Sequence, residues 1–222
     1  MKFISIALLL VLSISFTFAA SCNMNSGYAS RFTMNAYNTI FPSESGEETL
    51  TFFEIGYINV DFTSQQMMTM YEILIQGQPI IAGELYAFGQ NKTMYVVNEV
   101  NNQTVCHQLP LDYPIPSGPP KIIKDNGQTY IGAVPVESLQ IDSNNGPNVV
   151  EEMLFDYNTC SPLASYISNV DRANPGISTM VFIDYVNTPT PFTMPEICLN
   201  AQPADANMFR LPRSTKAQPV TY

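Results

Sequence analysis

The 222-residue chain has no tryptophan and a single histidine, His107. One imidazole leaves no partner ring for a multi-histidine metal site. Charge is scarce as well: Asp, Glu, Lys and Arg supply 13% of the residues, about half of the ~25% usual in soluble domains. Cations are the rarer sign, nine Lys plus Arg against 19 Asp plus Glu, for a net charge of −10. A surface of that sign repels a phosphate backbone, so nucleic acid is not an expected partner. There is no Gly-x-Ser-x-Gly elbow to seat a nucleophile, and no Cys-x-x-Cys for a zinc ribbon or a dithiol redox site. Apolar residues are plentiful at 45%, enough to build one domain core and too many for wholesale disorder.

The opening segment has its own pattern. Lys2 precedes an apolar run over residues 3–11 that continues to Phe18, with Thr17 and Ala19 as the small residues of a cleavage site. This predicts a secretory signal peptide over residues 1–19, cut after Ala19. An uncleaved anchor is the alternative, but the run lacks charge on its far side. No later segment approaches the ~18–20 apolar residues of a membrane span. Loss of Lys2 leaves eight cations against 19 acids, or −11. Four cysteines remain, Cys22, Cys106, Cys160 and Cys198, and an even number in an exported chain predicts two disulfides, with three pairings open. Lipidation of Cys22 would strand one of the other three. Export also turns the sequons Asn91-Lys92-Thr93 and Asn102-Gln103-Thr104 into candidate glycan sites, both among turn-forming residues.

Period-two patterning dominates residues 50–109. Ile58, Val60 and Phe62 alternate with Asn59 and Asp61, and apolar runs follow at 67–75, 80–88, 93–97 and 104–109, the last two flanking Asn101-Asn102. Such runs, spaced by Gly, Asn and Pro, predict an antiparallel meander. A proline-rich crossing loop over 110–120 cannot be a central strand. Further strands are expected at 131–141, 149–157, 166–167 and 180–186, with a loose tail over 206–222 after a single β domain at 20–205. Strands 50–57 and 67–75 are apolar on both faces, which fits either a filled sandwich core or a two-layer sheet around a pocket.

Several short blocks resemble the ependymin-related family. They are Met94-Tyr95-Val96-Val97 with Cys106-His107-Gln108-Leu109-Pro110-Leu111, Tyr130-Ile131-Gly132, and Tyr157-Asn158-Thr159-Cys160-Ser161-Pro162. The most specific is Phe182-Ile183-Asp184 followed by Pro191-Phe192-Thr193-Met194-Pro195-Glu196-Ile197-Cys198. The resemblance implies two stacked antiparallel sheets enclosing a hydrophobic pocket in a secreted or lysosomal glycoprotein. It further implies binding of a fatty acid or other lipid, calcium binding, homodimers and a role in cell–matrix adhesion. The pairing it implies is Cys22–Cys160 and Cys106–Cys198. A third bridge carried by many relatives has neither of its cysteines here.

The residues themselves carry little catalytic chemistry. His107 lies in a strand with no partner motif, and Glu47-Glu48 and Glu151-Glu152 read as solvated pairs rather than an acid–base couple. No catalytic residue is assigned, although a secreted hydrolase using Asp or Glu is the alternative to a carrier. Asp142, Asn144 and Glu151 fall near one turn without EF-hand spacing, so calcium, if bound, has no assigned ligands. Methionines cluster at Met67, Met68 and Met70, and flexible thioethers suit a wall that accepts acyl chains. Met68, Met70 and Ile73 are accordingly the candidate pocket residues.

Overall fold

A computed structural model of the chain describes residue 22 and residues 24–43, 46–100, 103–111, 114–142 and 147–204. The signal segment, Asn102, Asn144 and the tail over 206–222 lie outside them. Twelve strands follow in order: β1 (Gly27–Ser43), β2 (Gly46–Asp61), β3 (Gln66–Leu74), β4 (Ile81–Phe88), β5 (Thr93–Val100), β6 (Gln103–Pro110), β7 (Ile122–Ile131), β8 (Val134–Ile141), β9 (Val149–Asp156), β10 (Ser161–Asn169), β11 (Ile177–Val186) and the short β12 (Gln202–Pro203). They join into one sheet ordered β12-β6-β5-β4-β3-β2-β1-β11-β10-β9-β8-β7. Every pairing is antiparallel except β12 on β6. The mainly β, antiparallel architecture is thus present, with the strands in a single continuous ladder. The long strands β1 and β2 make that continuity, because β1 pairs with β2 on one side and β11 on the other.

Alternation in β1 sets two faces. Tyr28, Ser30, Phe32, Met34 and Ala36 oppose Val60, Ile58, Gly56, Glu54 and Phe52 of β2, and the row continues to Met67, Tyr71 and Ile73 of β3. These form the first face, where Phe32, Met34, Ala36, Phe52 and Ile73 make one buried cluster. The second face carries Arg31, Thr33, Asn35 and Tyr37 of β1, with Ile55 and Tyr57 of β2 and Met68, Met70 and Leu74 of β3. Strands apolar on both faces therefore reflect a sheet that buries one face along its middle and the other only at one end.

Three irregular segments pack on the sheet outside that central cluster. Cys22 and Met24 lie against Leu139, Ile141 and Phe155 of the first face, held by the Cys22–Cys160 disulfide. The proline-rich crossing packs Leu111 and Ile115 onto Val60, Phe62 and Ala87. Residues 187–204 strap the second face: Phe192 and Met194 pack over Tyr86 and Val97. Cys198 of the strap is bonded to Cys106, and the Asn59 amide donates to the Thr190 carbonyl (2.6 Å) while accepting from the Thr190 N–H (3.0 Å).

Two bulges aim side chains. Asn38 adopts φ 47° where the β1–β2 register shifts, a conformation asparagine tolerates. Asp184 (φ 53°) does the same in β11 and turns Tyr185 back onto the first face, stacked on Tyr28 at 5.5 Å. One expected strand is corrected: residues 131–141 are not continuous, because Gly132 turns the chain with φ 59° and β7 returns as β8. The pattern of one apolar run hid a hairpin whose turn needs a left-handed residue.

Candidate functional site on the first sheet face

The centre of the first face is built by aromatic rings lying over glycines. A Cβ on Gly56 would stand 2.8 Å from the Phe32 ring and meet the Met70 carbonyl, and one on Gly83 would stand 2.9 Å from the Tyr71 hydroxyl. Phe32, Gly56, Tyr71, Gly83 and Asn98 follow one another across β1 to β5, so each ring uses the space its neighbour leaves open.

Glu54 interrupts this apolar surface. It stands between Met34 on β1 and Ile73 on β3, two members of the buried cluster. Burial pushes its carboxyl up to about 7, and no hydrogen bond or cation opposes the shift. The same burial, and then the charge of Glu54, raise the Tyr71 phenol. Farther along the face, burial followed by the charge of Glu151 takes Tyr28 to about 12, and burial followed by Tyr28 raises Tyr185. Glu151 accepts a hydrogen bond from the Ser165 hydroxyl at 2.7 Å.

Polar atoms without partners accompany these acids. The Asn98 Oδ1, Ser178 Oγ and Tyr185 Oη are buried with no hydrogen-bond partner among the described residues. Asn98 shares the row of Tyr71, and Ser178 shares the row of Ala36 and Phe52. Glu54 occupies the row between. The Lys and Arg of the described residues are elsewhere: Arg31 is on the second face in an exposed pair with Asp184, Lys92 is in the β4–β5 turn, Lys121 and Lys124 are at the β7 edge, and Arg172 is in the β10–β11 turn. What this arrangement can do chemically is hold an apolar body and engage a polar end through carboxyl, hydroxyl and amide groups.

The expected pocket residues separate. Ile73 lies on the first face in the buried cluster. Met68 is on the opposite face, under Phe192 and Met194 of the strap, and Met70 beside it is 43% exposed. Asn91 is exposed in the β4–β5 turn, where the Thr93 hydroxyl donates to its carbonyl at 3.1 Å. That turn borders a cleft of about 450 Å³ lined by Ser64, Gln66, Phe88, Gln90 and Asn91. Asp142 is exposed after β8, while Glu151 is committed to Ser165. Among the described residues no three His, Cys, Asp or Glu side chains gather as a metal site. His107 lies on β6 opposite Val96, on the same face as Glu54 but four strands from it. The sequence reading missed Glu54, although a signal was there: Leu50, Phe52, Gly56, Ile58 and Val60 share its parity, and it is the lone acid among them.

Fold and site together define a disulfide-pinned, all-β protein whose apolar sheet face carries an isolated carboxyl. The chain belongs to the ependymin family: the model of the ependymin domain of amoebozoa matches residues 21–220. An uncharacterised protein of Dictyostelium discoideum is 33% identical over 184 residues, 82% of this chain. The chain spans 57% of that relative's length. Among solved structures, it is similar to a LolA superfamily protein of Nitrosomonas europaea at TM-score 0.33 and 7% identity, covering 75% of this chain and 88% of the other. A β-barrel-like protein from Brucella abortus, a domain of unknown function, gives 0.29 and 9%, over 72% and 97%. Among the described residues, no helix is long and apolar enough to cross a membrane.

Proposed function

We propose that this protein is an exported, non-enzymatic carrier that holds an aliphatic or lipid ligand against the first face of its sheet. The single observation that carries this reading is the set of unpartnered polar atoms within an otherwise apolar surface, Asn98 Oδ1, Ser178 Oγ and Tyr185 Oη. A filled sandwich core satisfies nearly all of its buried polar groups, whereas a surface that receives a guest keeps a few for it. Membership of the ependymin family supports the same reading. Affinity would come from methylene burial, at ~0.8 kcal/mol per CH₂. Export with glycans at Asn91 and Asn102 belongs to the proposal, as do action at the extracellular matrix and assembly as a homodimer. The hydrolase alternative gains no support, since Glu54 and Glu151 are separated in strand order by β1, β11 and β10. Organic extraction of the protein purified from a secretory host, followed by mass spectrometry, tests the carrier reading. One aliphatic species in near-stoichiometric amount is expected; protein that carries none, and takes up none offered, would overturn it.

A further inference from the structure

Glu54 faces Met34 from β1 and Ile73 from β3. The titratable group beside it is Tyr71, whose phenol its charge raises. No Lys or Arg among the described residues stands on the first face of β1 to β6. One row along, the Ser178 hydroxyl, 1% exposed and two strands away on β11, and the Asn98 carbonyl oxygen, three strands away on β5, have no partner among the described residues. An amphiphile with an anionic head would bring a second negative charge beside Glu54, with no Lys or Arg among the described residues of that face to receive either. A head that donates hydrogen bonds, above all a protonated amine, would find an ionised acceptor in Glu54.

We infer that Glu54 is the head-group anchor of the site, selecting single-chain aliphatic amines over neutral alcohols and alcohols over fatty carboxylates. This rests on the carrier reading and names its ligand class. The physical reason is the low-dielectric surroundings: an ion pair among Met34, Phe52 and Ile73 is screened far less than one in water, and a like-charge pair there costs correspondingly more.

The test is displacement of a fluorescent apolar probe at pH 8 by dodecylamine, dodecanol and dodecanoate, each below its micellar concentration. The full chain is compared with Glu54→Gln and with Glu72→Gln, whose acid is exposed on the opposite face. The expected order is amine, alcohol, carboxylate, with amine favoured over alcohol about tenfold or more, the size of one charge-assisted hydrogen bond. Glu54→Gln should remove the amine preference and improve dodecanoate binding, with dodecanol, which loses only a neutral donor's hydrogen bond, shifted less than either; Glu72→Gln should change none of the three. Equal binding of dodecanoate and dodecylamine by the wild-type chain, or an amine preference that survives in Glu54→Gln, would overturn the anchor while dodecanol binding still upheld the carrier. Failure of all three to displace the probe would overturn both.

Discussion

Glu54 is a carboxyl in the wrong solvent, and that has a consequence for stability apart from any ligand. Burial holds it at about 7, above the ~4.3 of an unfolded glutamate. Between these values the folded chain binds the proton that the unfolded chain has released. The folded state therefore gains relative stability on acidification, and this contribution is lost as pH rises through about 7. The expected outcome is a wild-type stability that falls relative to Glu54→Gln between pH 4.5 and 7.5. Urea midpoints of the two proteins across that range measure it, and parallel profiles would mean that the carboxyl is solvated.

At the scale of the element, β3 separates the two faces within a few residues. Ile73 belongs to the buried cluster with Phe32 and Phe52, whereas Met70 projects from the second face, 43% exposed. Met70→Glu should change stability by less than about 0.5 kcal/mol, while Ile73→Glu places a charge in the cluster and should cost about 2–4 kcal/mol. Denaturant unfolding of the two variants is the check, and the reverse order would mean that the register of β3 is shifted by one residue. Much of this level was legible in the sequence. The meander from 50 to 109 and the crossing at 110–120 follow from alternation and proline. The pairing implied by family resemblance, Cys22–Cys160 and Cys106–Cys198, is the one formed. Strand β1 could have been read from the alternation of Phe32, Met34 and Ala36 with Arg31, Thr33 and Asn35. Which β3 parity meets the apolar cluster could not be read, because methionine, isoleucine and leucine occur on both and only the β2 register decides between them. Tyr185 was hidden for a different reason, since a bulge at Asp184 reverses the parity on which such a reading depends.

For the whole molecule, three covering segments and two disulfides leave the sheet with unequal faces. The first face carries Glu54, Glu151 and the unpartnered Asn98, Ser178 and Tyr185 atoms within apolar surroundings. The second face is strapped over β4 to β6 and elsewhere shows Tyr37, Ile55, Val181 and Ile183 to solvent. Both faces thus offer apolar area, and the choice between them is the centre of the functional reading. An alkyl chain bearing a photoreactive diazirine, irradiated with the full-length protein and located by peptide mass spectrometry, decides it. Labels should concentrate on first-face residues such as Met34, Phe52 and Ile73 and be competed by dodecanol. Labels concentrated on Tyr37, Ile55, Met70 or Val181, with the first face unmodified, would contradict binding at the first face.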